Sequence, residues 1–195
     1  MLPPRLDPDE ITFFEQFLGN KAPDTKMVEW GSGGSTTMFI KHFKTGRLTS
    51  IEHNEEWYNK VREEIVVGDE YPQEVHDNFA YLFKPPSFET KPVDIRFYGY
   101  GVPFEENPCF ASTYIDPTSD VFCPPYIWSS DIYFVDGICR GAVLATIHAK
   151  AKNRNAAVFV HDYYGPEKRV PWYNWASNLY SDVKQVGSTL ARLYL

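Results

Sequence analysis

Between residues 27 and 40 the sequence reads MVEWGSGGSTTMFI. Glu29 closes a short apolar run, and Gly31, Gly33 and Gly34 follow at once. Glycines so placed let a backbone turn sharply and approach a ligand where a Cβ would obstruct. Glu52 ends the next apolar run, 21 residues after Gly31 (52 − 31). A carboxylate there can accept hydrogen bonds from both hydroxyls of a ribose. Loop and acid together point to an adenosine-containing cofactor. Two later apolar runs also end in chemistry: Asp136, with Arg140 one turn beyond it, and the dipeptide His161-Asp162. These residue types remove protons, orient an acceptor or hold a divalent cation.

Such residues must be held by strand ends, and the surrounding pattern supplies them. DPDEITFFEQFLGN reads as a helix: Asp7 caps it, Pro8 takes the first helical position, Glu10 completes the capping pattern and Gly19 follows the last turn. Ile11, Phe14, Phe17 and Leu18 then share a face. KMVEW is a strand, 35–44 a helix, RLTSIEH a second strand and NEEWYNKVREEI a helix capped by Asn54. This order implies right-handed crossovers and a parallel sheet. Strands are expected over 79–85, 93–100, 131–136 and 156–162, with a helix over 140–152. A short helix is expected in PEKRVPWYNWASNLY, and DVKQVGSTLARLYL is a closing hairpin turning at Gly187-Ser188. Residues 99–129 show no periodicity and are expected to form an irregular insertion or lid. The expected fold is α/β and Rossmann-like. It has a mostly parallel seven-stranded sheet, helices on both faces and a C-terminal antiparallel hairpin. The chain reads as a single domain over 1–195, with its N-terminal helix inside 1–25.

Composition narrows the function classes. The chain has 195 residues, 43% apolar and 23% charged, ordinary for a globular domain. A net charge of −7 argues against nucleic-acid binding. The charge is uneven: residues 1–139 carry 11 Lys/Arg and 23 Asp/Glu (−12), residues 140–195 carry 8 and 3 (+5). A basic C-terminal part favours an anionic acceptor. Cys109, Cys123 and Cys139 make no C-x-x-C pair, no sequon is present, and neither a signal peptide nor a membrane-spanning run is evident. The expected location is cytoplasmic, with no membrane partner.

The spelling of the loop discriminates between cofactors. A dinucleotide fingerprint wants a third small residue where Thr36 stands. An acid before the loop, Glu29, sits badly beside a pyrophosphate and suits a cation such as the amino group of S-adenosylmethionine (SAM). E-x-G-x-G-G-S-T resembles motif I of the class I SAM-dependent methyltransferases. The resemblance continues through SIEHNEEWY, through FVDG with Arg140, and through VFVHDYY. It covers most of 26–165, while 66–128 matches no part of the pattern.

The resemblance implies that the glycine loop, with Gly31, Ser32, Gly33, Ser35 and Thr36, lies along the methionyl and ribose parts of SAM. It implies that Glu52 holds the ribose; His53 is a candidate to flank the adenine, with a half-exposed structural histidine as the favoured alternative. The expected activity is O-methylation of a hydroxyl on a sugar, a glycan or another small molecule. Asp136, His161, Asp162 and Arg140 form the candidate catalytic set. His161 is the base whose intrinsic pKa best matches neutral pH, and Arg140 orients an acceptor or neutralises Asp136. Mg²⁺ on the two carboxylates is the less favoured option, because no third acidic ligand is evident nearby. Tyr163, Tyr164, Trp172, Tyr173 and Trp175, with Lys168 and Arg169, are candidates to receive the acceptor. An NAD-dependent oxidoreductase and a non-catalytic binding domain are the alternatives.

Overall fold

Side-chain alternation along the strands builds the molecule. In the computed structural model, which describes residues 2–67, 71–85, 114–119, 123–164 and 174–195, four adjacent parallel strands lie at the centre. They are β2 (Arg47–Glu52), β1 (Lys26–Trp30), β4 (Ile132–Val135) and β5 (Ala157–Val160). β3 (Phe79–Phe83) extends the parallel sheet beside β2. β7 (Ala191–Tyr194) and β6 (Asp182–Gln185) close the other edge as the expected antiparallel hairpin. The order is β3-β2-β1-β4-β5-β7-β6. The anticipated strand over 93–100 and most of the irregular stretch 99–129 lie outside the described residues.

Near-continuous apolar strands are what a sheet covered on both faces requires. Val28, Trp30, Tyr133, Val135, Val158 and Val160 form one core. Against it packs α5 (Arg140–Lys150), through Val143, Leu144 and Ile147, near the short α6 (Asn174–Ser177). Met27, Leu48, Ile132, Phe134 and Phe159 form the opposite core. That core is covered by α1 (Pro8–Gly19), α2 (Gly34–Phe39) and α3 (Glu55–Arg62), while α4 (Gln73–Asp77) adds Val75. Phe14 of α1 is fully buried, with ring contacts to Phe39, Phe134 and Phe159 at 5.0, 5.4 and 5.2 Å. The expected helices are shorter than their periodic runs. α2 tightens into a 3₁₀ turn at Ile40–His42, and α3 gives way to a π turn at Glu63–Val67.

The order of connection decides where a ligand can enter. From β1 the chain runs outward to β2 and β3, then returns to the other side of β1 as β4. The loops after β1 and β4 therefore diverge and open a crevice at the strands' C-terminal ends.

Candidate active site

A cleft of about 680 Å³ occupies this crevice. Gly31, Ser32, Gly33, Ser35, Glu52 and His53 line one part of it, and Asp136, Arg140, His161 and Asp162 line another. Ten of the twelve positions singled out in the sequence thus meet in one trough. Glu29 and Thr36 do not.

Glu29 corrects an expectation. Strand alternation places it on the Met27 face, beneath α2, where it is fully buried. Its Oε1 accepts from Ser35 Oγ at 2.6 Å, and its Oε2 from Thr36 Oγ1 at 2.7 Å and from Ser50 Oγ. Ser50 stands opposite Glu29 in the β1–β2 register. The carboxylate is spent on hydroxyls under the loop and does not face the cleft, so it is not placed to meet a cofactor amino group. Burial pushes it up to about 7, the three hydroxyls partly offset this, and the charge of Asp136 adds to the rise. Thr36 Oγ1 also accepts from Gly33 N at 2.9 Å. The polar residue at the fingerprint's sixth position is therefore the loop's internal brace.

The loop itself is built around two close approaches. Gly31 has φ +89°, and a Cβ there would lie 2.4 Å from Gly137 N. Gly34 packs under the N-terminal segment, where a Cβ would lie 2.0 Å from the Pro3 carbonyl oxygen. Thr37 Oγ1 donates to the Leu2 carbonyl at 3.1 Å. Leu2, Pro3 and Pro4 thereby pack against one side of α2, while Gly34 and Ser35 still line the cleft.

Glu52 is 1% exposed and already well bonded. Oε2 accepts from Ser32 N at 2.8 Å and Ser32 Oγ at 2.9 Å; Oε1 accepts from His53 N at 2.9 Å and Asn54 N at 2.8 Å. Burial alone would raise this carboxyl. The bonds from His53, Asn54 and Ser32, with the charge of His53, outweigh it and hold the group below its usual range. A carboxylate has about four acceptor positions, so all are engaged, and a further donor to Oε2 would have to displace Ser32 Oγ. That hydroxyl has a second partner ready in Tyr81 OH, 2.6 Å away.

At the ends of β4 and β5 the charges form one network. Arg140 donates to the carbonyls of Gly137 and Asp136 at 2.9 Å each, and to that of His161. Its NH2 also meets Asp136 Oδ1 and Asp162 Oδ2, at 3.1 Å each. It therefore neutralises the acids and ties the two strand ends together. Asp162 turns back towards it through a left-handed backbone, φ 54°. His161 Nδ1 lies 2.8 Å from Asp136 Oδ1, and Nε2 lies 3.4 Å from Glu10 Oε2. Burial would lower this imidazole, but its bonds to Asp136 and Glu10, with the charges of Asp136 and Asp162, raise it to about 10. His161 is therefore an imidazolium at neutral pH and not the base its intrinsic pKa suggested.

The sequence reading assigned Glu10 to capping alone. It does cap, accepting from Asp7 N at 3.0 Å. It also accepts from Thr189 N at 2.7 Å and Thr189 Oγ1 at 2.8 Å in the closing hairpin. Its full burial and its approach to His161 carried no local signal. Asn54, Trp57 and Arg5, which also line the cleft, were likewise missed as site residues. Only the pairing of Ser50 with Glu29 was open to inference, from strand register.

Asp136, His161 and Asp162 bring one donor atom each within 4.8 Å of one another. As arranged they do not fit a cation. His161 uses both ring nitrogens on Asp136 and Glu10, and Arg140 stands between the two carboxylates. Of the aromatic candidates, Tyr163 is buried and donates to Ser177 Oγ at 2.9 Å, whereas Trp175 is 46% exposed. Lys168, Arg169, Trp172 and Tyr173 lie outside the described residues.

No protein-family model matches the sequence, and no curated protein matches it. Solved structures do match. A putative caffeoyl-CoA O-methyltransferase from Staphylococcus aureus superposes with a TM-score of 0.59 at 10% identity, over 98% of this chain and 85% of its own. Precorrin-6y C5,15-methyltransferase from Geobacter metallireducens gives 0.58 at 10% identity, over 100% and 93%. A SAM-dependent O-methyltransferase from Thermotoga maritima gives 0.54 at 11% identity, over 91% of this chain but only 52% of its own. The chain spans about half the length of that last protein. At these identities the likeness is one of fold: the architecture is that of the class I SAM-dependent methyltransferases.

Proposed function

We propose that this protein binds SAM and transfers its methyl group to an oxygen of a small molecule or sugar unit. The observation that carries the reading is the continuity of one cleft, from the glycine loop and Glu52 to Asp136 and Asp162. The loop fits a nucleoside cofactor because Gly31 and Gly33 offer bare backbone to the cleft, packed so closely on Gly137 and Trp57 that neither position has room for a side chain. A Cβ on Gly33 would come within 3.2 Å of the Trp57 indole nitrogen. When bound, SAM supplies a methyl group already activated on a sulfonium.

The protein then has to hold, orient and deprotonate. Glu52, held below the usual carboxylate range by its donors, takes the ribose hydroxyls. Asp136 is held through Oδ1 by Arg140 and His161, which leaves Oδ2 to accept the proton of the acceptor hydroxyl as the new bond forms. Arg140 and the imidazolium of His161 keep that carboxylate in one orientation. Orientation of the acceptor in line with the leaving sulfur supplies the rest. The net positive charge after residue 139 supports an anionic acceptor such as an acidic sugar.

An NAD-dependent reading is disfavoured by the sixth position of the glycine loop. The dinucleotide fingerprint wants a small residue where Thr36 stands, and here that side chain braces the loop through Gly33 N and Glu29. Calorimetric titration with S-adenosylhomocysteine, and in parallel with NAD, tests the reading. Micromolar binding of the first, lost in Glu52→Ala, is expected; binding of NAD alone would overturn it. Asp136→Asn is expected to retain S-adenosylhomocysteine but lose methyl transfer. A non-catalytic binding domain would be indifferent to that change.

A further inference from the structure

Among the described residues, four buried polar side-chain atoms have no hydrogen-bond partner, and two of them flank Glu52: His53 Nδ1 and the hydroxyl of Tyr114. His53 Nδ1 is 2.9 Å from Glu52 Oε1, close but off the line of a hydrogen bond. Tyr114 has no such neighbour. Its side chain is fully buried, and its backbone is pinned, the carbonyl accepting from Trp30 Nε1 at 2.8 Å. Its ring meets that of His53 edge-on, with centroids 5.3 Å apart. Its hydroxyl lies against Gly137 so closely that a Cβ on that glycine would stand 1.8 Å from it. That is the seam where Gly137 meets Gly31, and both glycines line the cleft. The charges acting on the phenol belong to Glu52, Cys139, Arg140 and Asp136.

An unpaired buried hydroxyl is costly to keep, and a Phe would fill the same space without that cost. Burial first, and the nearby acids second, raise the phenol well above its ordinary value, so it stays a donor. We propose that Tyr114 is a cofactor-binding residue whose O–H donates to a nitrogen or oxygen acceptor on the nucleoside half of the ligand held by Glu52. The ring is the fixed part, and the hydroxyl lies against Gly137, whose backbone with that of Gly31 lines the cleft. This rests on the SAM reading above.

Tyr114→Phe removes the donor and keeps the ring. Titration of the wild type and the variant with S-adenosylhomocysteine and with adenosine, alongside the melting temperature of each free protein, tests the proposal. Both ligands are expected to bind the variant roughly fivefold or more weakly, while its melting temperature is unchanged or higher. Unchanged affinity overturns the proposal. A lower melting temperature also does so, since it shows that the hydroxyl already has a partner in the free protein. A loss for S-adenosylhomocysteine but not adenosine puts the contact on the amino-acid half and overturns it too. Failure of the wild type to bind either ligand instead removes the cofactor reading itself.

Discussion

Individual carboxylates in this protein differ by burial and by what is aimed at them. Glu29 is raised from 4.5 to about 7, so between those values the folded state binds a proton that the unfolded chain has released. Its contribution to stability therefore falls as pH rises through that window, and the cost is complete above about 7. Glu29→Gln keeps an acceptor for Ser35 and offers donors to Thr36 and Ser50. The variant should gain melting temperature relative to wild type between pH 5 and pH 8; a difference that does not change with pH would refute the shift. Glu10 and His161 behave in the opposite sense. Glu10 is held at about 2: burial would raise it, but its bonds to His161, Thr189 and Asp7 win. Its contribution is present above 4.5 and lost as pH falls through about 2. His161, raised from 6.5 to about 10, stabilises fully below 6.5 and loses that contribution as pH rises through about 10. Proton NMR of the ring should show an imidazolium throughout the neutral range. Glu10→Gln should lower its titration point and cost about 1–3 kcal/mol by removing a buried charged partner.

Among the elements, α1 does most to join distant parts of the chain. Its apolar stripe buries Phe14 and Leu18 against the sheet, and its first turn sends Glu10 to the closing hairpin and to His161. Phe14 sits within a cluster of aromatic rings, so little can collapse into the space it would leave. Phe14→Ala should cost about 3–5 kcal/mol in chemical denaturation and should loosen His161 with it. An exposed position on the same helix, such as Glu15, is the control and should be silent.

For the molecule as a whole, occupation of the cleft by any ligand is coupled to folding, because the cleft exists only when β1, β2 and β4 are aligned. A ligand present at about 100 times its Kd should raise stability by about 2.7 kcal/mol, which in a domain of this size is roughly 5–10 °C. S-adenosylhomocysteine should produce that shift and NAD should not. Adding EDTA should leave it intact, because the donors of the rim are held by Arg140 and a protonated imidazole. No helix among the described residues is long and apolar enough to cross a membrane.

The sequence by itself determined a good deal, because strand alternation, glycine spacing and caps are local signals. Apolar runs ending in Glu29, Glu52, Asp136 and His161 located the parallel strands and the rim where chemistry collects. Gly187-Ser188 between two short runs marked the hairpin. What tertiary structure alone decided is which way each group faces and which distant group meets it. Glu29 is turned beneath α2 because its strand phase matches Met27, not the cleft. His161 is a cation because Asp136 at the end of β4 and Glu10, from a helix 151 residues earlier (161 − 10), both meet its ring. Arg140 is a clamp because its guanidinium reaches the backbone carbonyls of both Asp136 and His161. Tyr114 reaches Gly137 from a stretch with no periodicity at all. Local pattern encodes hydrophobic phase, which is set residue by residue. Charge state and partnership depend on distances between segments that only folding brings together.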